Sequence, residues 1–178
     1  MAYLVCAIIV TVLVCLDQIT KYIFLNPPYV LYESVPFIKG LFNIHPCYNT
    51  GAAWSILNDQ PVILQIVSVL GATVLIYLLK DFAIKRRPLY SYGLTLALAG
   101  TIGNMIDRIF SPNGVADFIQ FAFWTDYPTF NIADSLLCIG VVMLCIHLVF
   151  FESKDPIKII PDWMKPKKRE SEEGSKDE

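Results

Sequence analysis

Four apolar stretches dominate the chain: Ala2–Phe24, Val62–Leu79, Leu89–Ile109 and Ile132–Phe151. Each approaches the ~20 residues that a helix needs to cross a bilayer. Within lipid the backbone must satisfy its own hydrogen bonds, so such stretches fold as helices. The composition agrees. The 178 residues are 55% hydrophobic with a mean hydropathy of +0.53, too apolar for an ordinary soluble domain. The third stretch is the weakest, because Ser91, Thr95, Thr101 and Asn104 interrupt it. The first reads as a retained helix and not as a cleaved leader, because it lacks a basic start and Asp17 and Lys21 break its far end.

Lys and Arg give the orientation. The segment Lys80–Arg87 is short and basic, and half of all Lys and Arg lie after Phe151. The connections 25–60 and 110–130 hold only Lys39. The positive-inside rule then puts both termini in the cytoplasm. The expected organisation is a membrane domain over 1–151, with external loops at 25–61 and 110–130. A charged tail over 152–178 follows, too polar to build a core and therefore expected to be disordered. Within the first external loop, Phe37–Ile44 and Ala52–Leu57 suit short strands. A strand edge there could accept an extended peptide, although a mere covering loop accounts for the pattern as well.

Charge at membrane depth is costly, so ionisable residues there usually face a cavity and carry function. Asp107 stands near the end of the third stretch and Asp134 near the start of the fourth. The topology puts both at similar depth near the external surface. Asn104 and Asn131 each precede an acid by three residues, on the same helical face. Gly100, Gly103, Asn104 and Asp107 share one small, polar face that permits close helix approach. Asn131 with Asp134 is also an ordinary helix start, in which amide and acid cap orphan N–H groups. Asn104 and Asp107 have no such explanation, because a carboxylate at a helix C-terminus opposes the dipole.

Two adjacent carboxylates share a proton and can activate water while protonating a leaving group, which is aspartic peptidase chemistry. The helix dipole favours that proton on Asp107. Proton or cation transport is the competing use of paired intramembrane acids. It is disfavoured because both acids lie near one surface and no polar face continues inward. A non-catalytic binding protein is the third class, and the intact pair argues against it. Asp17 and Lys21, spaced i, i+4, read as an internal ion pair and interfacial anchor. Arg108 is placed to anchor at the interface or orient a carboxylate. The turn at Asn49–Ala53 is unremarkable by itself. Cys6, Cys15, Cys138 and Cys145 read as packing residues. Cys47 and His45 in the external loop make no metal site.

Four motifs in order resemble lipoprotein signal peptidase, the signal peptidase II of bacteria (aspartic peptidase family A8). They are Asp17-Gln-Ile-Thr-Lys21, Asn49-Thr-Gly-Ala-Ala-Trp-Ser55, Gly103-Asn-Met-Ile-Asp-Arg108 and Phe130-Asn-Ile-Ala-Asp134. Val115-Ala-Asp-Phe118 also fits. The ordered set spans 17–135 and is far more specific than any one motif. The resemblance implies an all-α membrane protein with a small β element: four transmembrane helices, an external β-cradle and loop. It implies an inner-membrane aspartic endopeptidase that cuts diacylglyceryl-modified prolipoproteins just before the lipidated cysteine. On this analogy Asp107 and Asp134 form the catalytic dyad. Asn104, Arg108 and Asn131 orient it, and Asp17, Lys21, Asn49, Gly51, Gly103 and Ala133 support the pocket or substrate. No metal, cofactor or nucleic acid is expected. Membrane lipid and globomycin-type inhibitors are expected partners, and the protein is expected to act as a monomer. The chain departs from the family at Tyr48, where Arg is frequent, and at Gln120, where an acid is frequent.

Overall fold

The computed structural model describes residues 2–51 and 60–151. Helix α1 runs over Ala2–Phe24 and leads into a hairpin of β1 (Val35–Ile38) and β2 (Phe42–Asn49). Helix α2 covers Pro61–Leu78 and ends in a single 3-10 turn, and α3 covers Pro88–Phe110. Strand β3 (Val115–Phe121) precedes α4 (Ile132–Phe150). Helix ends follow local chemistry. Pro61 and Pro88 open α2 and α3, where a missing N–H costs nothing. Pro112 cannot extend α3. Asn131 opens α4 with a reciprocal capping box to Asp134.

Apolar side chains point outward on three helices. Ile8, Val12 and Ile19 of α1, Ile66 and Leu70 of α2, and Val142 and Val149 of α4 are all exposed. This is the inverse of a soluble domain, where a contiguous apolar surface of that size marks an interaction with lipid or protein. α1, α4 and the stretch Pro61–Asp81 are each long and apolar enough to cross a membrane. α3 is different: it packs against all three other helices and buries Ser91, Gly93, Thr95, Ala97, Gly100 and Gly103. Its small residues set the spacing. A Cβ at Gly100 would run into the Ala133 carbonyl, and one at Gly140 would run into the backbone of Ala97. Lipid provides no hydrophobic drive between helices, so such close backbone contact is what holds them together. The polar residues that weaken the third stretch as a membrane span are therefore the ones that suit it to the bundle centre. Thr95 and Thr101 return their hydroxyls to the backbone one turn earlier.

The strands form one antiparallel sheet in the order β1-β2-β3. The expected strand over Phe37–Ile44 is divided by a turn at Gly40, whose φ of +78° favours glycine. The expected strand over Ala52–Leu57 lies outside the described residues. β3 falls in a region read from sequence only as an external loop. The β2–β3 register shifts between Ile44, opposite Ile119, and Cys47, opposite Asp117. His45-Pro46 forms the bulge, as Pro cannot donate to the ladder. Beyond it, Cys47 and Asn49 of β2 share a face with Asp117 of β3. Phe118 stacks on Phe24 at 4.7 Å between ring centroids and seats the sheet on the end of α1.

The substitution Gly100→Ala is expected to cost about 1–3 kcal/mol by overpacking, as its Cβ also comes 3.0 Å from that of Leu137. Thermal unfolding of purified protein in detergent measures it. Gly71→Ala, whose Cβ meets nothing closer than 3.9 Å, is the control expected to leave the midpoint unchanged.

Candidate functional site

The C-terminal end of α3 turns Asn104 and Asp107 into the bundle, where both are buried. Asp107 is bound from two directions. Its Oδ2 lies 2.7 Å from Lys21 Nζ and accepts the Ala116 N–H at 3.2 Å. Its Oδ1 accepts from Gln18 Nε2 at 3.0 Å. Lys21 also lies 2.8 Å from Asp17 Oδ2 and donates to Asn104 Oδ1 at 3.1 Å. The Asp17–Lys21 pair is thus internal, with exposures of 0% and 3%, and does not reach out to the interface. At Asp107 the Lys21 ammonium opposes the helix dipole that would favour a proton there.

Asp17 also serves α4. Its Oδ1 accepts the Ala133 N–H at 2.9 Å, one of the orphan donors at the start of that helix. Asn131 Oδ1 accepts the next, from Asp134, at 2.8 Å. Gly103 and Ala133 are small because this junction is tight: a Cβ on Gly103 would lie 2.8 Å from Asp17 Oδ2 and 3.0 Å from Ala133 Cβ.

Asn104 links the ion pair to Asp134. Lysine can only donate, so Asn104 Oδ1 must face Lys21, and its amide nitrogen is left for Asp134. That bond, to Asp134 Oδ1, is 2.6 Å. The other carboxylate oxygen accepts the Asn131 N–H at 3.1 Å. Asn131, fully buried, donates from Nδ2 to Asn104 Oδ1 at 3.0 Å and to Asp117 Oδ1 at 2.7 Å. Asp117 Oδ2 accepts from Asn49 Nδ2 at 3.1 Å, and Asn49 Oδ1 accepts the Gly51 N–H at 2.9 Å.

A cavity of about 670 Å3 opens beside this network. Asp117, Asp134, Asn49, Asn104 and Arg108 form its polar wall. Val67, Gly71, Val74, Leu75 and Leu137 continue it as an apolar slot between α2, α3 and α4. Arg108 Nη1 donates to Ser68 Oγ at 3.1 Å, while its buried Nε has no hydrogen-bond partner among the described residues. Arg108, Asn49 and Leu64 also border a second cavity of about 610 Å3. Burial pushes the Asp117 carboxyl up to about 7, and the negative charge of Asp134 adds to the shift. The amides of Asn49 and Asn131 and the Lys21 ammonium oppose it only partly.

The structure brings Asp17, Lys21, Gly103, Asn104, Asp107, Asn131, Ala133 and Asp134 into one junction, with Asn49 and Arg108 on the cavity wall. Among the described residues, Gly51 reaches the site through Asn49. The expected direct meeting of Asp107 and Asp134 is replaced by a relay: Asp107 to Lys21, Lys21 to Asn104, Asn104 to Asp134. Asp107 is not on the cavity wall. Two residues without an expected role join the network, Gln18 and Asp117. Gln18 sits between the two charged residues of the first motif, and Asp117 is the acid of the fifth. Of the family departures, Gln120 bonds to Ser34 and Asn43 within the sheet. Tyr48 stands opposite Ala116, on the sheet face away from Asp117.

A family model described as Signal peptidase (SPase) II matches residues 9–150. The chain is 41% identical over 143 residues to the lipoprotein signal peptidase of Bacillus pumilus (strain SAFR-032), covering 80% of this chain and 90% of that one. It is 40% identical over 146 residues to the lipoprotein signal peptidase of Enterococcus faecalis (strain ATCC 700802 / V583), covering 82% and 88%. The fold is similar to a bacterial membrane enzyme solved by the in meso method at 2.3 Å resolution, with a TM-score of 0.75 and 32% identity, covering 88% of this chain and 94% of that one. A second such structure, at 1.9 Å, gives a TM-score of 0.71 at 32% identity, covering 83% and 94%.

Removing the buried cation leaves buried anions uncompensated, at a cost of about 3–5 kcal/mol. Lys21→Met is therefore expected to lower the yield and the unfolding midpoint sharply. The double variant Lys21→Met/Asp107→Asn, with one fewer charge to compensate, is expected to recover part of that loss. A thermal-shift series on the two variants decides it.

Proposed function

The chain belongs to the signal peptidase II family of aspartic peptidases, which remove signal peptides from prolipoproteins, and we propose that its catalytic pair is Asp117 and Asp134. The substrate is a prolipoprotein carrying diacylglycerol on its lipobox cysteine, cut immediately before that cysteine. The sequence suggested Asp107 as the partner of Asp134. One observation carries the revised pairing: among the described residues Asp117 and Asp134 are the carboxylates on the cavity wall, whereas both oxygens of Asp107 are held by Lys21, Gln18 and the Ala116 N–H. Asp107 is then a positioning residue that fixes Lys21 and the start of β3.

Peptide hydrolysis by two acids needs one protonated and one ionised at working pH. Asp117, near 7, can hold the proton. Asp134 sits in the first turn of α4, where the helix dipole favours a negative charge. In the proposed reaction Asp134 takes a proton from water, and the water oxygen bonds to the scissile carbonyl carbon. Asp117 gives its proton to the carbonyl oxygen. Collapse of the tetrahedral adduct breaks the C–N bond as the leaving amine of the cysteine takes the proton held by Asp134. The hydroxyl proton returns to Asp117. The apolar slot below the pair suits the membrane-embedded part of the substrate. In this reading all four helices span a bacterial cytoplasmic membrane, with both termini inside and the acids near the external face. The protein acts as a monomer without a cofactor, and globomycin-type cyclic peptides compete for the cavity.

Cleavage of a diacylglyceryl-modified lipobox peptide by purified protein in detergent tests this. Asp117→Asn and Asp134→Asn are each expected to lower kcat on the order of 10^3-fold or more while leaving the protein folded. Asp107→Asn is expected to lower the unfolding midpoint yet keep measurable turnover. Cleavage retained by Asp117→Asn, with a folded but inactive Asp107→Asn, would return the role to Asp107. The protonated form of Asp117 is the active one, so kcat/KM is expected to fall about tenfold per pH unit above roughly 7.

A further inference from the structure

The segment Tyr127–Phe130, between β3 and α4, lines the cavity beside Asp117 and Asp134. Phe130 commits both backbone groups to β3: its N–H donates to Ile119 O at 3.0 Å, and its carbonyl accepts from Ile119 N at 2.8 Å. In an extended chain the backbone groups of neighbouring residues point to opposite sides. Those of Thr129 therefore point away from β3, and they bond to the backbone of no described residue. Pro128 has no N–H to compete, and it holds the residue before it extended. Thr129 lies beside Cys47 of β2, whose thiol burial and the nearby Asp117 push up to about 11.

We propose that the N–H and C=O of Thr129 form a substrate-binding edge. One residue of the extended prolipoprotein segment pairs with them in antiparallel fashion, as an added strand. This is strand addition with a single pair of bonds. Its place follows from Asn131, two residues on, which is bonded to both Asp134 and Asp117. At ~3.3 Å per extended residue, Thr129 lies about 7 Å along the chain from that amide. The substrate residue it holds is thus within about three positions of the cut. The edge reads backbone alone, so it tolerates varied side chains while fixing the register of the scissile bond.

The inference rests on the cleavage reading above, and the test separates the two. In the same diacylglyceryl lipobox peptide, each amide within three residues of the cut, the scissile one excepted, is replaced in turn by an ester. This removes one N–H donor without adding bulk. One position is expected to raise KM about tenfold, the size of one lost backbone bond, with kcat nearly unchanged and its neighbours unaffected. Thr129→Pro, which deletes the donor on the enzyme, is expected to raise KM for the parent peptide similarly. If that variant fails to fold, the ester series stands by itself. A flat ester series on a parent peptide that is cleaved normally overturns the Thr129 edge and leaves the peptidase reading intact. A parent peptide that is not cleaved at all overturns the reading beneath it.

Discussion

A buried ammonium ion organises this molecule. Lys21 lies between Asp17 and Asp107 and donates to Asn104. It thereby ties α1 to α3, and through the Asp17–Ala133 bond to the start of α4. Burying these charges costs free energy that is recovered only if every partner is in place. The arrangement therefore specifies one packing of three helices rather than adding stability in general. The small face of α3 is its precondition, because side chains larger than Gly103 and Ala133 would push the carboxylate of Asp17 away from both its partners.

The second organising element lies outside the helices. The bulge at His45-Pro46 changes the register of β2 on β3, so that Asn49 and Asp117 share a face. A one-residue slip would turn both away. The sheet thus carries one acid and α4 carries the other, and Asn131 is bonded to both. Having the two acids on different elements lets their surroundings differ. Asp117 is buried between amides, and Asp134 sits in a helix's first turn. The catalytic pair proposed here needs such a difference in order to divide one proton.

Much of the scaffold was legible in the chain. The helix limits follow from apolar length, Pro61, Pro88 and the Asn131 cap, and each expected end lies within one residue of the observed one. The junction of Asp17, Lys21, Asn104, Asp107, Asn131 and Asp134 was legible because helical periodicity and membrane topology together set depth and facing. Gln18 was hidden because its donor bonds two acids and a carbonyl that lie apart in sequence. β3 was hidden because seven residues with one acid, between turns, resemble a loop until a partner strand is known. The place of Asp117 in the network was hidden with it, although its motif was legible.

By itself, then, the sequence determined the membrane class, the helices, the family and the set of polar residues drawn to one end of the bundle. These depend on local periodicity and on the cost of charge in lipid, both readable residue by residue. Only the tertiary structure decided which acids face a common cavity. That depends on the strand register set by one bulge and on competition for Lys21. Asp107 meets the ammonium, and its carboxylate is held in the helix junction. Asp117 accepts from the side-chain amides of Asn49 and Asn131, and its carboxyl stays on the cavity wall beside Asp134.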